Sequence, residues 1–189
     1  MTRLYARSVA RRRCFCLLFI GATVAACGGD TAEEPAAEVP PSIELTSFAF
    51  DAGAAMPRRF SCDDAELSPP LTWRKVPAAA KSLALVMEDP DTPSGTFVHW
   101  TVFAIAPKER GFLEGEAPKG SREGENSFGD VGYGGPCPPQ GKAHRYVFEL
   151  YALHAEPGLK RGAKPEEVRE AIEEHALARG RLVGTFKRG

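Results

Sequence analysis

Two aspartates and two histidines are the side chains of this sequence whose types and surroundings could do chemistry. Asp89 and Asp91 lie on a proline-stiffened turn, and His99 follows at the start of an apolar run. His144 opens another apolar run, five residues after the rigid loop 134–139, GGPCPP. Imidazoles and carboxylates held on stiff turns can bind an anion, orient one another or ligate a metal ion. Their spacing predicts a shared pocket.

Each of these residues also has an ordinary structural explanation. Aspartates cap turns by accepting backbone hydrogen bonds, and a lone histidine that faces the core is usually structural. Strand alternation predicts that one of His99 and Trp100 faces inward and the other outward. Arg145 either pairs with an acid beneath the pocket or touches the ligand, and the residues alone leave both open.

The composition predicts one loop-rich β domain. The chain has 189 residues, 43% of them hydrophobic, and its 19 glycines and 16 prolines cluster between apolar runs. Branched and aromatic residues with turn signals at both ends indicate strands in a mostly antiparallel sandwich or barrel. The predicted strands are an irregular one from Ile43 to Phe50, a short one entered through the turn 68–73, and the stretches 82–87, 97–105 and 146–153.

One helix is predicted near the end of the sequence. Pro165 suits a first helical position, and the two glutamates that follow it favour the positive end of the helix dipole. Gly180 is the expected end of this helix, before a last strand at 182–187. His175 falls on the apolar stripe, where a hydrogen-bonded core histidine is the favoured interpretation.

The first 27 residues have the pattern of an export signal. Five arginines precede an apolar run, Cys14 to Ala26, that is too short to span a bilayer, and Val24-Ala25-Ala26-Cys27 resembles a bacterial lipobox. We therefore predict a lipoprotein signal peptide at 1–26, lipidated Cys27 with a disordered tether at 27–42, and a folded domain at 43–189. The expected location is the bacterial envelope, on the periplasmic side of either membrane.

Charge and cysteine usage fit export. Without the five leader arginines the chain has 19 basic and 25 acidic residues, a formal net charge of −6, which argues against nucleic acid as a partner. Cys62 and Cys137 then remain as an even pair. They form either a disulfide or two buried thiols beside the pocket, because sequence does not give the distance between their Cα atoms.

An ordered set of motifs resembles the phosphatidylethanolamine-binding protein family, in its bacterial branch, which carries the label Raf-kinase-inhibitor-like. The resemblance runs from about Ile43 to Arg188 and includes the closing helix and strand. Ser127 departs from the pattern, since bacterial members commonly have Asp there. The motifs that carry the resemblance are SPPLTW at 68–73, DPDTP at 89–93, His99-Trp100, YGGPCPP at 133–139 and His144-Arg145-Tyr146.

The resemblance implies a β-sandwich with a small anion-binding cavity. Imidazoles and backbone N–H groups of the Gly-rich bend would donate to phosphate oxygens. A carboxylate beside the phosphate would share a proton with it or orient a histidine. The residues implied are Asp89, Asp91, His99, Gly135, Pro136, Pro138, His144 and Tyr146. The resemblance also suggests a cis peptide bond between Thr92 and Pro93, which would aim the two aspartates inward.

The sequence is compatible with three functions. The first is a membrane-tethered module without a cofactor that binds a small anion or a phospholipid headgroup. The second is an inhibitor of a protease or kinase that acts through a protein interface, which an exposed apolar patch away from the pocket would favour. The third, metal-dependent hydrolysis, is disfavoured because the sequence has no closely spaced pair of histidine ligands.

The lipobox prediction is tested by Cys27→Ala. Because the cysteine thiol is the acceptor of the lipid, the variant should lose both fatty-acid labelling and globomycin-sensitive processing. Metabolic labelling followed by electrophoresis measures both. Label that persists in the variant would contradict the assignment.

Overall fold

The structure is a computed structural model that describes Pro40 and residues 42–189. The predicted leader, Cys27 and most of the tether lie outside the described residues, so their assignment stays a prediction. Within the described part of the chain, no helix has both the length and the apolarity needed to cross a membrane.

The described residues form two antiparallel sheets, one α-helix and one short 3₁₀ helix at Arg58–Phe60. The strands are β1 (Glu44–Thr46), β2 (Leu71–Arg74), β3 (Ser82–Asp89), β4 (Phe97–Ile105), β5 (Gly111–Phe112), β6 (Arg122–Glu123), β7 (His144–Leu153) and β8 (Ala176–Phe186), and helix α1 spans Pro165–His175. The larger sheet has the strand order β6-β4-β3-β7-β8 and the smaller sheet the order β1-β2-β5.

The two sheets enclose the main core, and α1 covers the outer face of the larger sheet. Trp73 of the small sheet and Trp100 of the large sheet both pack edge-on against Phe112 in the main core. Val168 and Ile172 of α1 join a second cluster on the opposite face of β3 and β4. Strand β3 is therefore covered on both faces, which explains its nearly unbroken apolar sequence.

The predicted antiparallel β-sandwich is confirmed, and each predicted strand is found, although the last one begins at Ala176, six residues before its predicted start. Strand β4 has the predicted bounds, while β3 and β7 each extend by two residues at the end that carries Asp89 and His144. Asp89 and His144 are therefore both part of the large sheet. The first strand is shorter than expected, since it ends at Thr46.

The predicted end of the helix is wrong. Helix α1 begins at Pro165 as expected but ends at His175, and β8 starts at the next residue. Gly180 lies inside β8, opposite Leu150, where a Cβ atom would stand 2.6 Å from the carbonyl oxygen of Ile43. The glycine is required because two backbone segments pack closely at this position. In the sequence alone, a glycine with this role cannot be distinguished from one that ends a helix.

Candidate functional site

A cavity of about 200 Å³ lies at the end of the large sheet where β3 finishes and β4 and β7 begin. The antiparallel registers bring this end together, because Asp89 pairs with Phe97 on one side and Glu88 pairs with Val147 on the other. Most of the lining side chains are apolar. The lining residues are Asp89, Thr92, Pro93, Phe97, His99, Phe128, Cys137, Pro138, Pro139 and His144.

Asp89 and His144 form a buried pair on adjacent strands. Nδ1 of His144 lies 2.7 Å from Oδ2 of Asp89, and only 6% and 2% of the two side chains are exposed. The backbone N–H of Asp91 donates to the other oxygen, Oδ1, at 2.8 Å. Both oxygens of the buried carboxylate therefore have partners, and the imidazole is held with Nδ1 inward and its Nε2 edge toward the cavity.

Asp91 binds Arg145 and does not line the cavity. Its carboxylate accepts three bonds from the Arg145 guanidinium, the shortest at 2.6 Å, and one from the Arg145 backbone N–H at 2.8 Å. These bonds hold the pKa of Asp91 well below its usual range. Of the two explanations for Arg145, the structure shows pairing with an acid. The pair clamps the turn after β3 to the first residues of β7.

A β-bulge turns His99 inward. Met87 pairs with Trp100 and Glu88 pairs with Val98, so β4 has one extra residue between these pairs, and that residue is His99. His99 and Trp100 are both buried, at 3% and 1% exposure. The expectation that one of them faces outward is therefore wrong, because a bulge interrupts the alternation on which it depended.

His99 is held by the Gly-rich loop. Its Nδ1 lies 2.8 Å from the carbonyl oxygen of Gly134, and its ring packs edge-on against Tyr146 and Phe128. Burial lowers the pKa of His99 below its ordinary value of 6.5, although the carbonyls of the loop and the nearby carboxylate of Asp89 act in the opposite direction. His99 is neutral at pH 7 in this environment.

The loop 133–139 is fixed from behind by the segment 58–66. The Tyr133 hydroxyl donates to the carbonyl of Phe60 at 2.8 Å, and the N–H of Cys62 donates to the carbonyl of Pro136 at 3.2 Å. Cys62 and Cys137 form a disulfide with their Cα atoms 5.5 Å apart. Of the two states considered for these cysteines, the structure therefore has the bridged one, and it closes 75 residues of chain behind the cavity wall.

The loop offers fewer N–H donors to the cavity than expected. The N–H of Gly134 donates to the carbonyl of His99 at 2.8 Å, and the N–H of Gly135 donates to the Glu66 carboxylate at 2.9 Å. The expectation that these groups point at a ligand is wrong, because a rigid loop satisfies its own polar groups against neighbouring segments. Glu66 carried no motif in the sequence that could have revealed this contact.

Tyr146 lies under the cavity as a packing residue. It is fully buried, and its hydroxyl has no hydrogen-bond partner among the residues that the structure describes. Desolvation and the nearby Asp89 carboxylate raise its pKa well above the usual range, while the N–H of Cys137 acts in the opposite direction. Together with Asp91, Gly135 and Pro136 it supports the cavity without lining it.

The predicted cis peptide bond is absent from the described residues, so that prediction is wrong. Thr92 and Pro93 line the cavity on a turn in which the peptide bond between them is trans. The Thr92 hydroxyl donates to the carbonyl of Gly95, whose φ is +103°. A glycine with positive φ closes this turn, and the N–H of Asp91 orients Asp89 directly. The turn therefore needs no cis bond to aim Asp89.

Two phenylalanines complete the cavity and were not predicted from the sequence. Phe97 precedes the bulge, and Phe128 lies on a loop held by the buried amide of Asn126, whose Oδ1 accepts the N–H of Phe128 at 2.9 Å. Ser127, where the motif departs from its relatives, exchanges hydrogen bonds with the backbone of Val98. Ser127 therefore attaches this loop to β4 and is not one of the residues that line the cavity.

Metal binding has no ready site in the described part of the chain. No three His, Cys, Asp or Glu side chains there come together in an arrangement that could hold a metal ion.

Comparison with known families decides the relationship that the motifs suggested. The sequence profile of the phosphatidylethanolamine-binding protein family matches residues 46–187. The chain belongs to this family. The match covers the helix, every strand except the first two residues of β1, and every residue of the cavity described above.

Individual relatives agree with the family match. A UPF0098 protein of Methanothermobacter thermautotrophicus is 45% identical over 152 residues, which cover 78% of this chain and all of that protein. LppC of Mycobacterium tuberculosis, which is named as a lipoprotein, is 44% identical over 83% of this chain and 77% of its own length. The crystal structure of Escherichia coli YbcL, described as a member of the mammalian family, has a TM-score of 0.75 at 27% identity and covers 78% of this chain and 99% of YbcL.

The cavity geometry makes a prediction about histidine tautomers. Because Nδ1 of both His99 and His144 faces an acceptor, we expect the Nδ1–H tautomer at both residues when they are neutral, and we expect His99 to titrate below 6.5. Nitrogen-15 NMR of the imidazoles across a pH series measures tautomer and pKa together. An Nε2–H tautomer at either residue would contradict the described geometry.

Proposed function

We propose that this protein is an envelope-tethered binding protein whose cavity takes a small anion, either phosphate or the phosphate of a lipid headgroup. The observation that carries the proposal is the convergence of two imidazoles on one cavity, each held through Nδ1 with its Nε2 edge toward the opening. Family membership supports a binding role.

The parts of the site have separate roles in this proposal. His99 and His144 meet the ligand oxygens, and Asp89 orients His144 as an acceptor behind it. Pro138 and its neighbours in the loop form a rigid wall, because the disulfide and the prolines restrict the backbone of the loop. The Asp91–Arg145 pair fixes the turn that carries Asp89.

The apolar walls strengthen every polar contact inside the cavity. Phe97, Phe128 and Pro93 exclude water from the histidine edges, and hydrogen bonds gain strength where the local dielectric is low. The same walls penalise an anion that is not fully hydrogen-bonded. A small oxyanion that meets both imidazoles satisfies this requirement.

The tether completes the proposed role. Lipidation at Cys27 would hold the domain within the length of the segment 27–42 from the membrane, roughly 20 to 40 Å, where headgroups and their breakdown products are concentrated. The similarity to LppC, named as a lipoprotein, supports this placement. Membrane contact would then come from the lipid.

Removal of either histidine tests the binding site. His99→Ala and His144→Ala should each lower the affinity for phosphate by about 1.5–3 kcal/mol, roughly ten- to a hundredfold, because each deletes a hydrogen bond to a charged group. Affinity should also weaken as pH rises from about 5.5 to 7.5, because phosphate becomes a dianion that costs more to enclose between apolar walls beside Asp89. Calorimetric titration with phosphate and glycerophosphoethanolamine at about pH 5.5 and 7.5 measures both effects.

His154→Ala is the matched control. His154 is exposed and follows the opposite end of β7, so its removal should leave affinity unchanged. Equal binding by all four proteins would place the ligand outside the cavity. A strict requirement for a divalent metal ion would favour the hydrolase alternative.

A second candidate function, inhibition of a protease through a protein interface, is favoured by an exposed apolar row on the small sheet. Phe48 and Leu113 are 85% and 70% exposed. Thr46 pairs with Thr72 and Leu71 pairs with Phe112, so Phe48, Pro70 and Leu113 all lie at the same end of the small sheet. None of these three residues lines the cavity. Exposed apolar clusters of this kind mark contact surfaces.

The apolar row is tested by the double variant Phe48→Ser/Leu113→Ser. If the row is an inhibitory surface, the parent chain should inhibit at least one member of a serine-protease panel, and the double variant should lose at least about tenfold in inhibition constant through lost apolar contact. His144→Ala should inhibit normally. Absence of inhibition by the parent chain, or inhibition that survives the double substitution, would contradict this function.

A further inference from the structure

Both cavity histidines present an acceptor to the ligand when they are neutral. The carbonyl of Gly134 only accepts, so Nδ1 of His99 must carry the proton in their 2.8 Å hydrogen bond. The Asp89 carboxylate imposes the same tautomer on His144. A neutral imidazole with its proton on Nδ1 has a lone pair on Nε2. The two edges that face the cavity are then hydrogen-bond acceptors.

The remaining lining groups supply few donors to an oxyanion. The Thr92 hydroxyl donates to the carbonyl of Gly95, and the N–H groups of Gly134 and Gly135 are engaged behind the wall. The prolines of the loop have no N–H group. The N–H of Cys137 lies near the Tyr146 hydroxyl without forming a hydrogen bond to it, and it is the one backbone donor that the loop leaves beside the cavity among the described residues. An oxyanion that only accepts would therefore face unmatched lone pairs in this cavity.

The charges around the cavity also oppose a doubly charged ligand. Asp89 is one of the lining residues, and Glu66 lies behind the loop close enough to act on His99. The guanidinium of Arg145 is already paired with Asp91. A dianion enclosed by apolar walls and next to carboxylates has a large desolvation and repulsion cost. The titratable and charged groups that face His99 are Asp89, Glu66, His144 and Tyr146, with Tyr133 and the Asp91–Arg145 pair behind them.

We infer that the cavity selects the protonated monoanion of a phosphate, whose P–OH groups donate to Nε2 of His99 and of His144. This inference rests on the proposed anion-binding function and narrows its ligand. Dihydrogen phosphate has two P–OH donors for the two acceptors, a phosphate monoester monoanion has one, and a phosphodiester has none. The site then favours free phosphate or a monoester over the diester group of an intact phospholipid.

A series of ligands with equal charge and falling donor number tests the inference. Inorganic phosphate, methyl phosphate and dimethyl phosphate are titrated by calorimetry at about pH 6.5 into the full-length chain purified in detergent, and each affinity is expressed per monoanion. We expect affinity to fall by about tenfold or more for each P–OH removed, because a buried acceptor is then left without its donor.

The outcomes separate the inference from the function on which it rests. If dimethyl phosphate binds as tightly as inorganic phosphate, the imidazoles are donating and the inference is overturned while anion binding stands. If no phosphate ligand binds, the proposed function itself fails.

A substitution that replaces an acceptor with a donor gives an independent test. In His144→Gln the side-chain amide can place an N–H group near the position of Nε2. This variant should bind dimethyl phosphate at least about tenfold more tightly than the parent chain does, with a smaller preference for inorganic phosphate. A folded variant, verified by its near-ultraviolet circular dichroism, that keeps the preference of the parent chain would overturn the inference.

Discussion

The buried carboxylate of Asp89 is the constraint on which the cavity depends. An ionised group with 2% exposure is tolerated only where its oxygens are hydrogen-bonded. One oxygen accepts the N–H of Asp91 and the other meets Nδ1 of His144, so the requirement fixes both the turn after β3 and the ring at the start of β7. The orientation of the His144 ring therefore follows from its hydrogen bond to the Asp89 carboxylate.

The rest of the scaffold brings a second imidazole to the same point. The β-bulge in β4 adds His99 on the inner side of the sheet, and the Gly134 carbonyl holds its ring. That carbonyl is in place because the loop is bound to the segment 58–66 through a disulfide and backbone contacts. Two unrelated parts of the chain thus produce the same arrangement at both histidines, with Nδ1 satisfied inside and Nε2 left toward the cavity.

The sequence predicted the elements better than it predicted their contacts. Period-two patterns and prolines located β4 and the start of α1, because these signals are local. Gly180 was misassigned because its role is the close approach of Ile43, a contact between distant parts of the chain. The inward turn of His99 depends on pairing between β3 and β4, and the partner of Gly135 is Glu66, 69 residues away. The motifs identified residues in and around the cavity, but they did not distinguish the roles of the two aspartates. Only the three-dimensional structure shows that Asp89 lines the cavity and that Asp91 pairs with Arg145.

A crystal structure of the chain with bound phosphate tests the histidine cavity most directly. We expect phosphate oxygens within about 2.6–3.2 Å of Nε2 of both His99 and His144, with Nδ1 of each ring still on its present partner. A phosphate ion in the basic cleft formed by Arg58 and Lys187, with the histidine cavity empty, would contradict this expectation.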